Sequence, residues 1–285
     1  MKILIGYNGS QIAEAALDDL EHAGLPENAE VLILTVAEVW LPPENTDEAE
    51  VFAQRAQKYL SKNFPLWQVT YEVTYGSPAR QILEKAEEFK PDLIVVGEHS
   101  GSPGKDNIFL QGTSHKILSE AKCSVRIARG RSENDTTPTR IVIGYDGSHG
   151  AQVAVDEVAS RSWRGQIEAH LVVVADSTVP SSIGRFVAPT SNSFSEMKVV
   201  REQMEKLAEA PLNKLKNAGL KATLSVGTGN PKEIVIKMAE EWNADSIFVG
   251  PNHLGTSFER CLLGSVSEAV AARAHCSVEV VRKIN

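Results

Sequence analysis

Hydrophobic positions along the chain fall in short unbroken runs separated by longer amphipathic stretches. Ile3-Leu4-Ile5, Val31 to Val36, Val69 to Tyr75, Leu93 to Val96 and Val125 to Ala128 are apolar or rich in β-formers. A run without alternation, such as Leu93-Ile94-Val95-Val96, suits a strand covered on both faces, as strands are in a parallel sheet. The intervening segments have helical spacing: Ile12, Ala16, Leu17 and Leu20 share one face, and Gly24 is placed to end that helix. Ser77-Pro78 and Asn230-Pro231 each set an N-cap side chain before a proline in the first helical turn, where the missing N–H costs nothing. The pattern predicts strictly alternating strands and helices.

The whole pattern occurs twice. Ile5-Gly6-Tyr7-Asn8-Gly9-Ser10 returns as Ile143-Gly144-Tyr145-Asp146-Gly147-Ser148, an offset of 138. Gly76-Ser77-Pro78 returns as Gly229-Asn230-Pro231, Gly97 as Gly250, Gly112-Thr113 as Gly264-Ser265 and Cys123-Ser124-Val125 as Cys276-Ser277-Val278, at offsets of 152 or 153. Collinear matches of this kind mark a duplication. The change of offset places an insertion in the second half, and Ser177 to Ser195, rich in Ser, Thr, Pro and Gly, is its natural host, read as a mobile surface loop. Gly130 to Thr139, polar and containing proline, separates the halves. The expected architecture is α/β: two repeated doubly wound domains, 1–130 and 139–285, each a five-stranded parallel sheet of order 3-2-1-4-5 with helices on both faces. Strand five would lie at the edge of each sheet, and pairing of the two edges, domain 1 with domain 2, removes an aggregation hazard.

Composition narrows the function classes. The net charge of −8 and the absence of long like-charge blocks argue against a nucleic-acid or anionic-membrane partner. No apolar run is long enough to span a bilayer, and the first residues turn polar too soon for a signal peptide, so a cytoplasmic location is expected. Three cysteines without a C-x-x-C pair offer neither a disulfide framework nor a zinc site. No nucleophile with an adjacent base is visible, so no catalytic residue is nominated.

In an order of 3-2-1-4-5 the winding direction reverses between strands 1 and 4, and ligands are expected in the crevice at the carboxyl ends of those strands. The repeated motifs sit there. In the second half Tyr145-Asp146-Gly147 follows strand 1, and Gly250, His253 and Gly255 form the loop after strand 4. Gly264, Ser265, Val266 and Ser267 then open the last helix, whose free N–H groups and hydroxyls make a phosphate seat. Ser265 reads either as a phosphate donor or as a helix cap, and Asp146 either as a ligand contact or as the first residue of an Asp-Gly turn.

I-G-Y-D-G-S after strand 1, G-x-P before helix 3, D-x-I-F-V-G ending strand 4, L-L-G-S-V-S-E-A-V and H-C-S-V-E-V-V together resemble the universal stress protein family, over almost the whole chain and twice. The resemblance implies ATP binding, with or without Mg2+, by Asp146, Val174, Gly250, Gly264 and Ser265 in the second half. In the first half it implies Asn8, Val36, Gly97, Gly112 and Thr113. It also implies pairing through strand five, and it leaves a homodimer open. Against the family spacing G-x2-G-x9-G-(S/T), the second-half loop is one residue too long and the first-half loop two, and Asp has become Asn8. The excess of acidic residues lies wholly in the first half. An adenine nucleotide is therefore expected mainly in domain 2 of a stress-response or signalling module, the alternative being an interaction module whose sites have eroded.

Overall fold

The computed structural model describes residues 1–37, 46–98, 112–130, 138–176, 194–251 and 263–283. Its first half runs β1 (Lys2–Gly6), α1 (Gln11–Asp19), a 3-10 turn (Leu20–His22), β2 (Glu30–Ala37), α2 (Thr46–Asn63), β3 (Gln68–Tyr75), α3 (Pro78–Phe89), β4 (Leu93–Gly97), α4 (Gly112–Glu120) and β5 (Ser124–Ala128). The second half repeats it as β6 (Thr139–Tyr145), α5 (His149–Ser160), β7 (Ile167–Asp176), α6 (Phe194–Asn217), β8 (Lys221–Gly229), α7 (Pro231–Glu241), β9 (Ser246–Val249), α8 (Ser265–Arg273) and β10 (Ser277–Val280). The stretch Ser177 to Ser195, read as a mobile loop, lies outside the described residues except for its last two, which begin α6.

The ten strands form one sheet of order β3-β2-β1-β4-β5-β10-β9-β6-β7-β8. Each half has the expected 3-2-1-4-5 order, parallel throughout, and the halves meet where β10 pairs antiparallel with β5, Glu279 opposite Arg126. The central strands are apolar on both faces because helices cover both: Leu93, Ile94 and Val95 are fully buried, as are Ile141, Val142 and Ile143. One apolar cluster, including Ile94, Val125, Ile247 and Val278, runs through both halves, so the core is continuous across the junction. No described helix is long and apolar enough to cross a membrane.

Charged residues are buried at the same junction. The Arg126 guanidinium donates to Asp19 at 2.5 and 3.1 Å and reaches Glu279 at 3.4 Å. Arg161 in turn donates to both carboxylate oxygens of Glu279. The Ser277 hydroxyl donates to Asp19 at 2.7 Å. Two further arginines cross in a symmetric exchange: Arg129 donates to the carbonyls of Ala271 and Cys276, and Arg282 to those of Leu118 and Cys123.

Candidate functional site

At the carboxyl ends of β6, β7 and β9 lies a cavity of about 360 Å³. Its apolar wall is Val174, Val235 and Val249, and its rim is built from the N-termini of α5, α7 and α8. The sequence dictates each rim element locally. Ser148 caps α5 by accepting from Ala151 N at 3.2 Å, and Asn230 caps α7 by accepting from Lys232 N at 3.1 Å. Gly264 is the N-cap of α8 and has no side chain to offer, so Ser265 stands inside the first turn and does not cap. The dipoles of all three helices, and the N–H groups at the start of α8 that no side chain caps, give the rim a positive field that favours an anion.

Of the second-half residues nominated from sequence, Tyr145, Asp146, Val174, Gly250, Gly264, Ser265, Val266 and Ser267 all line this cavity. Gly147 does not line it; at φ +78 it makes the turn after Asp146, with Leu207 packed where a Cβ would go. His253 and Gly255 lie outside the described residues. Asp146 Oδ1 accepts from Ser148 N at 3.0 Å, and Asn8 does the same for Ser10 N at 3.2 Å, so the turn needs only the oxygen that both side chains have. Tyr145 is a core residue whose hydroxyl meets Gln152 at 3.2 Å, and burial raises its pKa. Ser267 is buried and donates its one proton to the Gly250 carbonyl at 2.7 Å, tying α8 to the end of β9. Ser265 is exposed, and no partner among the described residues holds its hydroxyl.

Gly250 has a reason for being glycine apart from any ligand. A Cβ there would come within 2.1 Å of the Gly150 carbonyl group, and one on Gly150 within 2.2 Å of the Pro251 oxygen. The β9 loop thus lies backbone against backbone on the first turn of α5.

One wall residue escaped the motif reading. Lys232, in the first turn of α7, is half-buried and lines the cavity. Its counterpart at the offset of 153 is Ala79, so the signal was available as a difference between the halves rather than as a repeat.

The equivalent cavity in the first half, about 420 Å³, is lined by Asn8, Val36, Gly97 and Thr113 but not by Gly112, and Glu48 brings a carboxylate to it. Gly112 is the first residue of α4, at φ +44. The buried positions Ser114, Ile117 and Leu118 of α4 answer Ser267, Val270 and Ala271 of α8, an offset of 153. The sequence match of Gly112-Thr113 to Gly264-Ser265 is therefore out of register by one residue. Thr113 corresponds to Val266, and the position of Ser265 is taken by Gly112, which has no hydroxyl.

The model of the universal stress protein family matches residues 1–129 and again residues 138–282. The chain belongs to the universal stress protein family. A putative universal stress protein of Staphylococcus aureus (strain USA300) is 35% identical over 152 residues, 51% of this chain and 85% of that protein. The crystal structure of a universal stress protein from Archaeoglobus fulgidus DSM 4304 superposes with a TM-score of 0.66 at 20% identity, over 99% of this chain and 98% of that one. A putative universal stress protein from Pseudomonas aeruginosa UCBPP-PA14 gives 0.65 at 14% identity, over 99% and 92%. At those identities the likeness is one of fold, and it extends to the tandem arrangement of two universal stress protein domains. Each cavity belongs to one family domain. Cys123 and Cys276 stand before the last strand of each, buried, with their thiols pushed up to about 11 and about 12 by that burial. Such thiols are packing groups and poor nucleophiles at neutral pH.

Proposed function

We propose that the second-half cavity binds an adenine nucleotide, ATP with or without Mg2+, and that the chain works as a nucleotide-dependent stress-response or signalling module. The observation that carries this reading is the convergence of three helix N-termini and Lys232 on a cavity whose far wall is apolar. The anionic end of a nucleotide meets N–H donors, the Ser265 hydroxyl and an ammonium group, while a flat base meets Val174, Val235 and Val249. Nucleotide binding is typical of the universal stress protein family. At the equivalent positions the first half has Ala79 for Lys232, Asn8 for Asp146 and Gly112 for Ser265, and neither Ala79 nor Gly112 lines its cavity. Those differences favour a first half kept for its interactions, with nucleotide held in the second.

Titration calorimetry with ATP tests the assignment. A hydrogen bond to a charged oxygen contributes about 1.5–3 kcal/mol. Lys232→Ala and Ser265→Ala should each weaken ATP roughly 10- to 150-fold. Thr113→Ala should leave the affinity unchanged. Absence of any ATP heat in the parent protein, or equal losses from Ser265→Ala and Thr113→Ala, would overturn the reading.

A further inference from the structure

Residues 126 and 279 occupy the same place in the two halves and are also opposite one another in the β5–β10 ladder, so the pseudo-twofold axis passes between them. One is arginine and the other glutamate. A second equivalent pair, His115 on α4 and Glu268 on α8, also meets across the junction, Nε2 to Oε1 at 3.1 Å. We propose that these opposite charges make the strand-five face of each half a fit for the other half of the chain and a misfit for a second copy of itself.

The argument lies in the order of charge. Asp19 and Arg126 belong to the first half, Glu279 and Arg161 to the second, and each pair is neutral by itself. Brought together they form a buried row of alternating sign, negative, positive, negative, positive. All four side chains are at most 4% exposed, so solvent screens little of their interaction. Two first halves paired by the same geometry would set Arg126 against Arg126, and two second halves Glu279 against Glu279, with no water to separate them. Like-charge juxtaposition at a desolvated contact suppresses the wrong partner. His115 and Glu268 repeat the effect at the rim, since two Glu268 side chains repel and two His115 side chains form no ion pair. The discrimination matters during synthesis. The N-terminal half folds first and leaves β5 bare for on the order of 10 s at roughly 5–20 residues per second, among identical halves on neighbouring ribosomes.

Position 115 is half exposed and therefore reports on the pairing without entering the buried row. In a Cys261→Ser background, His115→Cys/Glu268→Cys refolded from urea should be joined within one monomer by a short bis-maleimide cross-linker. His115→Cys alone should give no interchain cross-link even at high protein concentration; a 115–115 dimer would overturn the proposal. Charge reversal gives the positive arm. A chain carrying Asp19→Lys/Arg126→Glu/His115→Cys and a second carrying Arg161→Glu/Glu279→Arg/Glu268→Cys each have a like-charge centre within themselves but alternating order with one another. Refolded together and treated with the same cross-linker they should yield a cross-linked heterodimer about tenfold or more above the interchain product of either alone. Two variants that fold without exchanging halves would overturn the proposal. If neither folds, the single chain carrying Asp19→Lys/Arg126→Glu/Arg161→Glu/Glu279→Arg, whose row alternates again, decides it: a folded monomer supports the proposal and an unfolded chain overturns it.

Discussion

At the scale of single residues, the glycines around the cavity divide into those that serve the chain and those that leave room for a ligand. Gly250 serves the chain: the Gly150 backbone occupies the space of its missing side chain. Gly250→Ala should therefore cost about 1–3 kcal/mol of stability, read as a lowered urea midpoint, with or without nucleotide. Reading the motif alone assigns that glycine to a phosphate, because spacing cannot distinguish a backbone neighbour from a ligand. Lys232 shows the complementary failure. Searching for repeats finds what the halves share, and Lys232 is visible only as what Ala79 is not. Arg126 and Glu279 were illegible for another reason: a charged residue in an edge strand reads as solvent-facing until a second edge covers it.

At the scale of elements, the third helix of each half has the same sequence start and a different cap. Asn230 holds the Lys232 N–H, whereas Ser77 makes no side-chain cap bond. Asn230→Ala should cost about 1 kcal/mol and Ser77→Ala close to nothing, compared by urea midpoints. Strand β7 carries a pH-sensitive position. The His170 Nε2 lies 2.6 Å from the Ser225 hydroxyl, its Nδ1 is buried with no partner among the described residues, and burial holds the ring below its ordinary pKa. The unfolded chain takes up the proton first, at about 6.5. Stability is therefore full above that pH and falls as the pH drops through it towards the lower folded value. His170→Gln should lose less stability than the parent between about pH 7.5 and 5.5, and the slope should not vanish, because His275 is depressed by burial as well. The strands themselves were legible within a residue or two, since β4 and β9 are apolar on both faces and only a two-sided cover explains that. The α4 register was not. A local Gly-Thr to Gly-Ser match is persuasive in sequence, and the helical burial of Ser114, Ile117 and Leu118 corrects it by one position.

At the scale of the molecule, the two halves share a core and should unfold as one body. Cys123 and Cys276 lie on either side of the junction, and their carbonyls are held by Arg282 and Arg129 of the opposite half. Both thiols should resist alkylation in the native protein and become reactive over the same narrow range of urea concentration, mapped by peptide mass; separated midpoints would show halves that come apart before they unfold. The order 3-2-1-4-5 was legible from the alternation of elements, and the pairing of the two edges from the hazard of leaving them bare. The buried charges that accompany the pairing had no counterpart in that reasoning.

The bond from Ser277 to Asp19 joins residues 258 positions apart. Closing so large a loop adds little to its thermodynamic cost, since each doubling of length adds only about 0.6 kcal/mol. Its effect falls on speed. Contacts of high sequence separation lower folding rates, and the ladder at the centre of the sheet consists entirely of them. Refolding should thus show each half collapsing around its own parallel strands in an early phase, with the central ladder closing in a later one. The middle of the sheet, buried along both of its strands in the finished molecule, is the last part of it to form.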